Sequence, residues 1–436
     1  MRPVWVWLFC VPLAAAPVEL SLKRAVQLAT APDGNTRVQL TSEALKQTES
    51  RRLQSRASLL PDLSAAFTEQ NLTRNLGAMG IRITSPIPGL QIPRFVGPFT
   101  MLDARVSATQ SVFDISAYRR YQAAKMAVSA ARSDVRGTEE QVAAQVARAY
   151  LAAVRADADV DVALANVALS EAVVKQAENQ KTAGTGTGIE ITRARVQLAN
   201  DRQRLLVAEN ARRSAVLQLL RAIGLGLGTD VVLTDRLTDA PVDPMTLEQA
   251  KVKALEDRPD YQAQREREAT ARISASAVTL ERVPTLSAFG DYGESGTGFN
   301  SSLPTRTVGI SVRIPVFDGG RREARRAESA SQARAETVRT KDLREQIELD
   351  VRLALDALRS AGEQVKVAKD GLELAENEMT QARRRYDAGV AVGLEVTDAQ
   401  TRLARARDNQ TTALYNYNVA RIDLAQSVGA VKRMVE

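Results

Sequence analysis

The chain has 436 residues, with 59 Lys and Arg against 52 Asp and Glu, a formal net charge of +7, one cysteine and no histidine. Lacking histidine, it cannot build a Ser-His-Asp or Cys-His catalytic centre, a His-ligated haem or a His-containing zinc site, and a single cysteine excludes a disulfide framework. Aromatics make up only 4% of the residues, few for the core of a large globule, and charges of both signs interleave in segments such as Arg321–Glu328, the mark of a solvated helix face rather than a nucleic-acid surface.

The N-terminus begins with Met1-Arg2, continues with the apolar run Val4–Leu13 and reaches Ala14-Ala15-Ala16. A charged start, a short apolar stretch and a small-residue site compose an export signal, expected here at residues 1–16. The run is shorter than the roughly 20 apolar residues that a membrane-spanning helix needs.

Beyond the signal, one architecture is written twice. Pro61-Asp62-Leu63-Ser64-Ala65 recurs as Pro284-Thr285-Leu286-Ser287-Ala288, and Ser111-Val112-Phe113-Asp114 as Pro315-Val316-Phe317-Asp318. Gly184 and Gly188-Ile189-Glu190-Ile191-Thr192 correspond to Gly389 and Gly393-Leu394-Glu395-Val396-Thr397. The order is the same in both halves, which fall at 17–225 and 246–436 with a linker at 226–245.

In each half short helices come first, at about Leu20–Ala29 and Val38–Leu59, then Leu247–Glu256 and Tyr261–Leu280. Two strands follow, at about 62–71 and 101–113 in the first half and 285–292 and 305–317 in the second. In the last of these Val308, Ile310, Val312, Ile314 and Val316 alternate with Thr307, Gly309, Ser311, Arg313 and Pro315, a strand with one apolar and one polar face. The period then changes. Val351, Ala354, Leu358, Ala361, Val365 and onward to Met379, Ala382 and Tyr386 step by three and four, as do Val146, Ala149, Ala153 and onward through Ser170 to Lys181. These heptad seams predict long coiled-coil helices at about 115–181, 190–222, 319–387 and 395–428, the longer ones about 100 Å in length.

Strands of nine to eleven residues with one apolar face suit a membrane β-barrel, but four strands cannot close one, because an open edge in lipid leaves backbone groups unpaired. The chain is therefore expected to self-associate, three copies supplying twelve strands. The expected fold class is an α+β membrane protein of tandem repeats, each half two transmembrane β-strands plus long coiled-coil α-helices. A periplasmic coiled-coil scaffold or adaptor without a pore is the alternative; it accounts for the seams and the export signal but not for four alternating strands at matching places. No constellation of acids suggests an enzyme, and no cofactor or metal site is expected.

The second half reads Arg385-Tyr386-Asp387-Ala388-Gly389, Gly393-Leu394-Glu395-Val396-Thr397-Asp398-Ala399-Gln400, Tyr415-Asn416-Tyr417-Asn418 and Ser427-Val428-Gly429, with Pro315-Val316-Phe317-Asp318-Gly319-Gly320 and Arg258-Pro259-Asp260 before them. This ordered set resembles the TolC-type outer-membrane efflux proteins over nearly the whole chain. The resemblance implies a homotrimer in outer-membrane lipid, with a twelve-stranded β-barrel continued by a twelve-helix α-barrel across the periplasm. It further implies a passive, gated exit duct of a tripartite efflux or type I secretion system, docked to a periplasmic adaptor (membrane fusion) protein and an inner-membrane pump of RND, MFS or ABC type, with no nucleic acid and no cofactor.

The helix–helix turns, with Gly184 and Gly188 in one and Gly389 and Gly393 in the other, would form the periplasmic tip. The resemblance places an acidic residue six positions after each turn glycine at the aperture, here Glu190 and Glu395. Read from the residues alone, the alternative is that both are ordinary first-turn helix residues favoured by the helix dipole. Tyr386 matches the family tyrosine before the turn and also suits seam packing. The family's arginine two positions after the second turn glycine is replaced by Ala391 (Gly186 in the first half), so the closing network here differs. The run Gly184-Thr185-Gly186-Thr187-Gly188 follows a helix and lacks the Lys-Ser/Thr of a phosphate loop, so it reads as a hairpin turn.

Overall fold

The alternating segments pair into one antiparallel four-stranded sheet in the order β2–β3–β5–β6. In this computed structural model, which describes residues 18–80, 95–184, 186–241, 245–391 and 393–435, β1 is Val18–Leu20, β2 Asp62–Asn75, β3 Phe95–Phe113, β4 Val231–Leu233, β5 Thr285–Gly296 and β6 Leu303–Arg313. The expected export signal lies outside the described residues. The helices are α1 (Leu22–Thr30), α2 (Thr36–Ala57), α3 (Ile115–Thr182), α4 (Gly188–Ile223), α5 (Leu247–Asp257), α6 (Pro259–Thr279), α7 (Arg321–Asp387), α8 (Gly393–Ser427) and α9 (Val431–Val435).

Two compact units result. One comprises Leu45–Ala131 and Gln264–Thr340 and contains the sheet. Its register places Leu63, Ala65 and Phe67 on the same face as Ala104, Val106, Tyr292, Val308 and Ile310, while Ser64, Arg105, Ser107, Asp291 and Thr307 share the other. The apolar face is bare: Val308 is 84% exposed and Ile310 74%. Below the strands, Asp114 caps α3 by accepting the Ala117 N–H at 2.8 Å, and the buried Ser116 hydroxyl donates to the Ala277 carbonyl at 2.9 Å.

β6 stops at Arg313 instead of reaching residue 317. Its partner β5 begins only at Thr285, opposite Arg313, and Pro315 has no N–H to continue a ladder. α7 starts at Arg321, two residues later than the seam predicted, because Gly319 and Gly320 both take positive φ. β2 and β3 extend beyond the predicted 62–71 and 101–113, pairing as far as Asn75 and Phe95 across a register shift after Leu72.

The other unit comprises Met1–Ala44, Arg132–Ala263 and Lys341–Glu436. α3 has 68 residues and α7 has 67. The seam residues are among their buried side chains: Val146, Ala153, Ala156 and Val160 on α3, and Val351, Ala354, Ala361, Val365 and Met379 on α7. Alanine at alternate seam positions lets helices approach closely. A larger core gathers Leu20, Val26, Val142, Tyr150, Leu219, Ile223, Ile422 and Val431. There β1 pairs in parallel with β4, which lies within the segment read as linker. Tyr150, fully buried, donates its hydroxyl to the Leu20 carbonyl at 2.9 Å and accepts the Asp235 N–H at 3.3 Å.

Candidate functional site

Each long helix pair ends in a tight turn whose glycine adopts a left-handed backbone, Gly184 at φ +76° and Gly389 at φ +74°. Bonds back into the preceding helix close both turns: Gly184 N–H to the Lys181 carbonyl and Gly389 N–H to the Tyr386 carbonyl, each at 3.0 Å. A side chain at either glycine would meet no clash, so it is the backbone conformation that calls for glycine. Gly188 and Gly393 open α4 and α8.

The two glutamates occupy matching positions yet have different partners. Glu190 folds back and accepts the Thr187 backbone N–H at 2.9 Å, the glutamate arm of a capping box at the start of α4. The matching residue in the second turn is Val392, which has no hydroxyl for such a box. Glu395 is instead paired with Arg385 of α7, Nε to Oε1 2.9 Å. The second turn thus has an arginine–carboxylate pair although Ala391 and Gly186 stand at the positions of the family arginine.

Tyr386 is 5% exposed and packs among Val173, Ala194, Met379, Ala382 and Val396. A methyl group built on Gly393 would lie 3.6 Å from the Tyr386 hydroxyl and 3.7 Å from Glu190 Oε1, so the phenol and the Glu190 carboxylate converge on that glycine. Burial, reinforced by the charges of Glu190 and Asp387, holds the phenol above its ordinary pKa. Glu190, Arg193, Tyr386 and Leu394 help to line a cavity of about 20 Å³, enough for about one water. Lys181 takes the place of Tyr386 in the first half, and its Nζ points toward Gly188 as the phenol points toward Gly393. Gln176 of α3 donates to the Asp387 carboxylate of α7, binding the two hairpins together.

Farther up the same helices lies a polar layer that the sequence reading passed over. Ser170, Asp201 and Gln400 are all buried, at 1%, 2% and 3% exposure. Gln400 donates to the Ser170 hydroxyl and that hydroxyl to Asp201, each at 2.5 Å; Gln197 and Arg204 complete the acid's shell. The available signal was Ser170 itself, a hydroxyl among the Val and Ala of the α3 seam; polar residues at such positions fix coiled-coil register.

A β-hairpin of alternating strands followed by a long helical hairpin, repeated in tandem, is the architecture of an outer-membrane channel. The chain belongs to the outer membrane efflux protein family, whose model matches residues 34–225 and 251–430. It is 25% identical over 389 residues to the pyoverdine export outer membrane protein OpmQ of Pseudomonas aeruginosa (87% of this chain, 77% of that protein) and 24% identical over 332 residues to the alkaline protease secretion protein AprF of the same species (72% and 67%). With the outer membrane protein TolC of Escherichia coli it shares 22% over 403 residues (87% and 76%). Its fold is that of the Vibrio cholerae outer membrane protein VceC, with TM-score 0.78, 16% identity and coverage of 94% of this chain and 96% of that one. It is likewise that of the channel OprN, with TM-score 0.79 and 18% identity (94% and 90%). The protein is an outer-membrane efflux channel with its helical part in the periplasm, and it is not an enzyme.

Proposed function

We propose that three copies, each freed of residues 1–16, join their sheets edge to edge into a twelve-stranded barrel, continued by a twelve-helix tunnel. The assembly is the exit duct of a tripartite efflux or type I secretion system. The duct is passive and gated; a periplasmic adaptor connects it to an inner-membrane pump of RND, MFS or ABC type, which supplies the energy. Glu190, Glu395 and Tyr386 line the periplasmic aperture, and the turns at Gly184, Gly188, Gly389 and Gly393 form its tip.

One observation carries this reading: a four-stranded sheet with β2 and β6 at open edges and a bare apolar face. In lipid those edges must pair, and pairing with further copies closes the sheet without exposing backbone. The test is mass in mild detergent combined with conductance in a planar bilayer. Three chains per particle and discrete current steps are expected. A stable monomer in detergent-free buffer would refute the assembly.

A further inference from the structure

Arg105 stands on the polar face of β3 and faces Gly293 of β5 in the register. Its guanidinium takes Asp103, two residues earlier on the same face, in a fork, with Nε to Oδ1 and Nη2 to Oδ2 both 3.0 Å. It also binds Asp291 of β5 and reaches Thr305 Oγ1 of β6 at 3.4 Å. The crossing requires the glycine: a Cβ on Gly293 would come within 2.6 Å of Arg105 Cα and Cβ. One arginine from the first repeat thus bridges to both strands of the second. The matching position in the second repeat is Gly309, covered by the Phe289 ring, so the second repeat does not reproduce the arrangement.

We propose that Arg105, Asp103 and Asp291 form a charge station inside the barrel lumen, separate from the tip, that sets how the duct's outer section discriminates between anionic and cationic solutes. The inference rests on the barrel reading above, which turns this polar face toward the water-filled interior. Two carboxylates and one guanidinium leave one negative charge per copy, and three copies ring the lumen at one level. The side chains of Arg105, Asp103 and Asp291 are 30%, 26% and 19% exposed, so their field reaches passing solutes while the ion pairs hold the charges in place. Arg105 is the specificity-determining residue: it halves the charge that the two acids would otherwise present.

The test reads the local field. Ser107 lies on the same face two residues beyond Arg105, and Ser107→Cys in the full-length trimer is reacted with a cationic and an anionic methanethiosulfonate at low salt; the parent chain gives the background. The ratio of cationic to anionic rates should exceed one. Arg105→Gln should raise it and Asp291→Asn should lower it, each by about five- to thirtyfold, since one unit of charge a few ångströms away acts oppositely on the two reagents. Unchanged ratios in both variants, or shifts of the wrong sign, would overturn the station while leaving the duct intact. If Ser107→Cys is unreactive to both reagents whereas Ile310→Cys, on the opposite face, reacts, the lumen assignment and with it the barrel reading fail. Loss of assembly in Arg105→Gln alone leaves Asp291→Asn to decide, and no shift there overturns the proposal.

Discussion

Replacing Asp201 by alanine removes the acceptor at the centre of the buried layer that joins α3, α4 and α8. Four side chains converge there directly or through Ser170, but they do not suffer equally. Arg204 is 62% exposed in its side chain and turns to water at little cost, and Gln197 is only partly buried. Ser170, 1% exposed, cannot do so; it keeps the Gln400 amide as a donor and loses its own acceptor. The loss is therefore close to one unsatisfied buried hydroxyl, about 1–2 kcal/mol after partial relaxation. That energy belongs to local opening of the helices, so hydrogen exchange is the assay to use: amides of α4 around Ala194–Asp201 should exchange about five- to thirtyfold faster in Asp201→Ala, with the sheet unchanged. In Ser170→Ala the same substitution should cost clearly less, because the stranded donor is already absent. Equal exchange in Asp201→Ala and wild type would refute the claim that this buried layer stabilises the packing of α3, α4 and α8.

Of the two turn glutamates, Glu190→Gln and Glu395→Gln should each reduce cation preference in bilayer conductance, since each removes one negative charge and the second also leaves Arg385 without its partner. Glu140 accepts the N–H groups of Val431 and Lys432 at 2.9 and 3.4 Å, and burial above all raises its pKa. An acid with a raised folded pKa holds its proton longer when folded, so it subtracts stability as pH rises above its ordinary 4.5; melting curves of Glu140→Gln should therefore gain on wild type between pH 4.5 and 7. Burial also pushes the Tyr150 phenol up to about 12, so it remains a donor throughout the working pH range. Tyr150→Phe should cost about 1 kcal/mol in thermal unfolding: the Leu20 carbonyl keeps the Thr234 N–H at 3.2 Å, whereas the Asp235 N–H loses its partner.

The long helices and the sheet were legible because their signal is periodic: apolar residues recur at steps of three and four along the α3 and α7 seams, interrupted at positions such as Ser170, and β6 alternates residue by residue. Elements defined by distant partners were not. β1 and β4 have three residues each, too short for any period, and Val18 meets Val231 only in the folded chain. Asp201 reads as one more charge on a helix until Ser170, 31 residues earlier, is brought against it. The two helix–helix turns were legible by position only. Duplication predicted that Glu190 and Glu395 are equivalent, yet one threonine-for-valine difference, Thr187 against Val392, accompanies a change in what each carboxylate binds. A backbone N–H leaves the charge of Glu190 uncancelled, whereas a guanidinium cancels that of Glu395. In the proposed aperture six carboxylates would then act as three bare charges and three neutral pairs, so repetition of sequence sets the geometry of the two turns while the neighbours of each repeat set their electrostatics.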